Sequence, residues 1–179
     1  DVRLAEFFHD AITKADQTDT IGFSQYDDVV IFHAGVGQDF SLQDNTPNDL
    51  SSRFISSNLL KKHFGSSFSG VPVNHNSFFV QNGVVAPETE SQLFTDPILG
   101  IDIFREVGLA GILISNFGSQ LGLPDLFNTT NGHPAIGVFG LEDQGAVNGD
   151  GLIPAEPDPW TKIFMGWADP IIVSDSVNF

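Results

Sequence analysis

The 179-residue chain is 41% hydrophobic and 17% charged, which suits one globular domain over 1–179 and excludes a disordered segment. Seven Lys and Arg stand against 23 Asp and Glu, a net charge of −16. That balance cannot neutralise a run of phosphates, so nucleic acid and anionic membrane surfaces are excluded as partners, while calcium or a cationic partner suits it.

There is no cysteine, which rules out disulfide scaffolds, Cys-zinc sites and thiol catalysis. No apolar run reaches the ~18 residues of a membrane-spanning helix, so membrane insertion is not expected; the longest, around residues 107–114, is broken by glycine. No signal-peptide pattern is present. The first residue is Asp1, which predicts a chain excised from something longer. The 17 Phe are read as core.

Residues 4–15 predict a helix, with Leu4, Phe7, Phe8, Ala11, Ile12 and Ala15 on one face and His9 on the other. Residues 26–33 predict a buried strand ending at His33. Residues 38–48 predict a polar loop, and Thr46-Pro47-Asn48-Asp49 a helix start. Residues 50–64 then read as helix, with Lys61, Lys62 and His63 complementing the dipole and Gly65 as C-cap. Residues 66–70 predict a linker. Residues 78–85 predict strand pieces turned at Asn82-Gly83, a hairpin signal. His75, between two asparagines, carries no signal. Residues 87–97 predict a loop. Residues 98–121 predict a second long helix, weakened at Gly108, Gly111 and Gly118 by about 1 kcal/mol each relative to alanine and ended by Gly122 and Pro124. From Asn128 onward loop is expected, with a short helix or turn over residues 160–167 carrying both tryptophans.

Residues 115–127 read S-N-F-G-S-Q-L-G-L-P-D-L-F. Ser115 and Ser119 are four apart and share a helical face. Gly122 follows Ser115 by seven residues and Asp125 by ten. This is the frame of the extended zinc-peptidase motif H-E-x-x-H-x-x-G-x-x-D, in which two His ligate zinc and the Glu is the general base. Here both His are serine, the Glu is Asn116, and the acid at the third-ligand position, Asp125, is kept.

The chain resembles the immune inhibitor A family of secreted bacterial zinc metallopeptidases, whose active helix reads roughly H-E-F-G-H-x-L-G-L-P-D-L-Y. Residues 26–35 (Y-D-D-V-V-I-F-H-A-G), 136–145 (I-G-V-F-G-L-E-D-Q-G) and 160–167 (W-T-K-I-F-M-G-W) are similar to further segments of that family in the same order. The resemblance spans roughly residues 4–167. It implies an α/β zincin fold: a mixed, twisted sheet, a backing helix, and a helix carrying the former motif. It also implies a secreted or cell-surface protein.

By the same resemblance Glu142 stands where the family has the methionine beneath the metal, so Ser115, Asn116, Ser119 and Glu142 have changed together at one site. A serine hydroxyl is a poor zinc ligand, and Asp125 alone cannot hold the ion. Without zinc no water is acidified, and asparagine is not a base. No zinc is therefore expected.

The expected function is non-catalytic: a binding or structural module whose relic cleft is lined by Ser115, Asn116, Ser119, Asp125 and Glu142. It would take a peptide or another domain of the parent chain. The alternative is an active metallopeptidase with a site rebuilt from Asp125, Glu142, Asp143 or His133, where carboxylates favour calcium over zinc. If Glu142 is buried its pKa should rise, and it is expected to bond Ser115, Asn116 or Ser119 in place of the lost metal. No G-x-S-x-G elbow, phosphate loop or dinucleotide fingerprint is present. Asn148-Gly149-Asp150-Gly151 has calcium-like composition but lacks the later Glu of an EF-hand.

Overall fold

A computed structural model describes residues 2–40 and 49–172. Helix α1 (Val2–Thr18) buries Leu4, Ala5, Phe8 and Ile12, the apolar face its spacing predicts, and runs three residues past Ala15. A 3₁₀ turn at Phe23–Gln25 precedes strand β1 (Val30–Val36). The strand predicted from Tyr26 therefore starts later, and His33 lies in its middle rather than at its end. Most of the loop predicted over 38–48, and the helix start at Thr46-Pro47-Asn48, lie outside the described residues.

The helix predicted over 50–64 forms only in its second half. Strand β2 (Arg53–Ile55) comes first, then α2 (Ser57–Phe64). The boundary has a local cause: the Ser56 hydroxyl accepts the Leu59 backbone N–H at 3.2 Å, an N-cap that fixes where the helix can start. At the other end the Gly65 N–H donates to Lys61 O, as its C-cap role requires.

Strands β3 (Val71–Val73) and β4 (Phe78–Val80) form an antiparallel pair, turned by Asn74, His75 and Asn76, all with positive φ. Strand β5 (Gly83–Thr89) belongs to a different sheet, so Asn82-Gly83 turns no hairpin. Gly83 serves packing instead: a Cβ there would meet the Phe8 ring at 2.8 Å.

Strands β6 (Gln92–Thr95) and β7 (Asp102–Arg105) form a second antiparallel hairpin. Its turn is closed by Asp96 Oδ1, which accepts the Ile98 and Leu99 N–H groups at 2.8 Å. This hairpin replaces much of the loop predicted over 87–97 and the first part of the helix predicted over 98–121. What is left of that helix is α3 (Ala110–Leu121). Beyond residue 128 the chain is mostly loop as expected, with 3₁₀ turns at Gly137–Phe139 and Gln144–Val147 and a final helix, α4 (Pro159–Phe164). Asp158 caps α4, accepting from Trp160 N at 2.9 Å.

The largest sheet has the order β1-β5-β2. β5 runs parallel to β1 and antiparallel to β2, so the sheet is mixed. Residues 83–87 of β5 are buried, as a central strand covered on both faces requires. The β1–β5 register shifts between His33 and Val36, next to the His33–Pro87 pair; Pro87 has no N–H to give the ladder.

The main core joins α1 to the sheets through Phe8, Ile12, Ile55, Leu60, Val71, Val73 and Val85. A smaller cluster of Leu123, Leu141 and Ala146 flanks α3, packed by Met165. Among the described residues the molecule is a mixed α/β structure of small sheets and four α-helices, and no helix is long and apolar enough to cross a membrane.

Candidate functional site

Helix α3 is held at both ends. At its start the Gly108 and Gly111 N–H groups donate to Asp150 O and Gly151 O at 2.8 and 3.0 Å. At its end Leu123 N donates to Gly118 O at 3.0 Å and Gly122 N to Ser119 O at 3.1 Å, with Gly122 at φ 93. That pair of bonds is a Schellman cap, which needs the left-handed residue at Gly122. It reverses the chain so that Pro124 and Asp125 return along the mouth of a cleft.

The cleft holds about 620 Å³ and is lined by Ser115, Asn116 and Ser119 of α3, by Asp125, and by Ser52, Arg53, Phe54 and Ser56 around β2. Of the five residues the sequence singles out, these four line the cavity. The fifth, Glu142, lies behind it and is only 3% exposed.

Glu142 is fixed at several points. Its carbonyl accepts the Leu126 N–H at 2.9 Å, which ties it to the segment carrying Asp125. Its Oε2 accepts the hydroxyls of Ser115 at 3.3 Å and Ser119 at 3.4 Å. Its Oε1 is buried without a hydrogen-bond partner and lies against Gly118, where any Cβ would overlap it. Burial pushes the Glu142 carboxyl up to about 7; the Ser115 bond opposes this, the charge of Asp125 adds to it, and the Ser119 bond opposes it. Asn116 takes no part, its Nδ2 donating to Ile112 O at 2.9 Å, back along its own helix.

The other acids proposed for a rebuilt metal centre are committed elsewhere. Asp143 Oδ2 accepts three successive N–H groups, from Ala135, Ile136 and Gly137, each at 2.8 Å, and its Oδ1 accepts from Gln144 at 2.9 Å. Burial alone would raise its pKa, but the bonds from Ile136, Gly137, Ala135 and Gln144 outweigh it and hold the carboxyl below its ordinary value. Asp150, in the calcium-like Asn148–Gly151 stretch, is paired with Arg105, whose Nε and Nη2 donate to its two carboxylate oxygens. His133 is exposed. Among the described residues no three His, Cys, Asp or Glu side chains gather to hold a metal ion.

One feature beside the site carried no sequence signal. Glu90 is completely buried, and its pKa is pushed up to about 8 by burial and then by the charge of Asp39, another cleft-lining residue. His33, which the sequence places at a strand end, is 9% exposed, bonds Ala34 O through Nδ1 at 3.0 Å and stands edge-on to Phe7; it is a packed strand histidine and is not among the residues lining the cleft. Comparison with protein-family models, curated proteins and solved structures returns no match to this chain.

Proposed function

We propose that this chain is a metallopeptidase-like domain of the zincin type, akin to the immune inhibitor A family, that has lost zinc chemistry and serves a secreted or surface protein as a peptide-binding module. One observation carries the reading: the two residues at the histidine-ligand positions, Ser115 and Ser119, both donate to one buried carboxylate, Glu142. The donors offered there are hydroxyls and carboxylates. Zinc takes His nitrogen, Cys sulfur or carboxylate, with three protein ligands in a catalytic site, so this donor set does not fit zinc. Asn116, at the general-base position, is turned back on its helix and has no proton-accepting chemistry to offer.

The mixed sheet and the placing of α1 and α3 against it support the zincin reading of the fold. A binding role is favoured over a purely structural one because the cleft is open and sizeable, and because β2, on the outer side of the β1-β5-β2 order, contributes to its wall. An extended peptide can add main-chain hydrogen bonds at such an edge.

The test is metal content with activity. The purified chain is stripped with chelator, exposed to zinc and to calcium, desalted, and its metal quantified, then incubated with casein. Zinc well below one per chain and intact casein are expected. One zinc retained per chain, with cleavage that chelator abolishes, would replace this reading with that of an active peptidase.

A further inference from the structure

The chain contains three Asn-Gly steps, Asn82-Gly83, Asn131-Gly132 and Asn148-Gly149. Such a step is open to attack on itself. The glycine's backbone nitrogen, with no Cβ beside it to hinder approach, attacks the side-chain amide carbon of the asparagine and closes a five-membered succinimide ring. The amide nitrogen leaves as ammonia, taking the proton that the backbone nitrogen gives up. Water then opens the ring to aspartate or isoaspartate. In sequence the three steps are equivalent; in the fold they are not.

Asn82-Gly83 is closed to this chemistry. Gly83 is buried at the start of β5 and pairs with Ile55, and Asn82 Oδ1 accepts from Gln120 Nε2 at 3.4 Å. Asn148 is half-buried. Its Nδ2, the group that has to leave, donates to Val138 O at 2.9 Å, and its carbonyl accepts the Gly151 and Ile153 N–H groups at 3.1 and 3.2 Å.

Asn131-Gly132 differs at each point. Residues 127–136 are all exposed, and nothing lies within 4 Å of the place a Gly132 Cβ would take. Asn131 Oδ1 accepts the His133 N–H at 3.0 Å. That bond folds the side chain over the following peptide. It also sets a donor on the oxygen that gains negative charge as the nitrogen attacks, which lowers the cost of the tetrahedral intermediate. The opposing contact is the Gly132 N–H donating to Asn128 O at 2.7 Å. It lies in an exposed turn, which opens locally with the core intact.

We propose that Asn131 is a self-modification site, the first asparagine of the folded chain to deamidate. The product adds one negative charge. As isoaspartate it also carries its own Cβ in the main chain, which lengthens by one atom a turn that Asn128 N closes on His133 O at 2.8 Å. Phe127 and Thr129 of this loop line the cleft, so the modification reshapes one wall of the cleft and leaves the core alone. The site stands whether or not the cleft binds a peptide.

The folded chain is incubated at neutral pH in oxygen-18 water, beside a sample unfolded in guanidinium chloride, and peptide mapping follows label entry at each asparagine. In the unfolded sample the three steps are expected to react at rates within threefold of one another. In the folded chain Asn82 and Asn148 are expected to slow at least fivefold more than Asn131, with isoaspartate the main product at residue 131. Folding that slows Asn131 as much as the other two would overturn the proposal, by showing that the Gly132–Asn128 bond protects the step. Faster label entry at Asn82 or Asn148 than at Asn131 in the folded chain would overturn it as well.

Discussion

At the scale of single residues, Glu142 sets how stability should follow pH. Its carboxyl titrates near 4.5 in an unfolded chain and at about 7 in the folded one. The folded state therefore binds its proton more tightly. The resulting stability is fully present below about 4.5 and is lost as pH rises through 7. The shift corresponds to about 3 kcal/mol. Glu90, raised for the same reason, acts in the same direction, while Asp143, held low, loses stability only as pH falls below its ordinary range. Urea titrations at pH 5 and pH 8 should show the chain more stable at pH 5. Glu142→Gln keeps a carbonyl oxygen for the two serines, so it should raise stability at pH 8 and shrink the difference, leaving the part due to Glu90. An undiminished difference in the variant would show that the carboxyl is charged throughout.

At the scale of elements, the fit between α3 and the segment after it is made by absent side chains. Gly111 lies against the carbonyl of Ala146 and Gly118 against Glu142 Oε1, with no room for a Cβ at either. Gly118→Ala should cost about 1–3 kcal/mol in chemical denaturation despite alanine's better helix propensity. In a Glu142→Ala background the same change should become neutral or stabilising, and that reversal isolates the contact. The frame from Ser115 to Asp125 was legible, because a four-residue spacing has one meaning on a helix. Helix α1 was legible for the same reason. The spacing of Ile101, Phe104 and Val107 suits a helix, yet Ile101 and Ile103 equally suit a strand, and pairing with β6 decided for β7. Leu50 to Phe64 misled similarly, since a three-residue strand is held by β5 and leaves almost no pattern of its own. Asn82-Gly83 offered a turn locally, but packing on Phe8 used the glycine otherwise. The buried Glu90 beside Asp39 was illegible, because the two are brought together only by the tertiary fold.

At the scale of the whole molecule, the net charge of −16 works against compactness, since like charges repel most when held together. Raising NaCl from about 0.1 to 1 M shortens the screening length from roughly 10 to 3 Å. The thermal midpoint should rise by several degrees over that range, and a midpoint that fell would mean that attractive pairs such as Arg105–Asp150 outweigh the repulsion. The order of the main sheet has a further, kinetic consequence. β5 meets β2 across a separation of 28 residues (Gly83 with Ile55, 83 − 55), but meets β1 across 54 (Val84 with Val30, 84 − 30). Closing the longer loop costs more entropy, and non-local parallel pairing slows folding. The strand that comes first in the chain thus has the costlier docking, and until it docks the central strand has one flank bare.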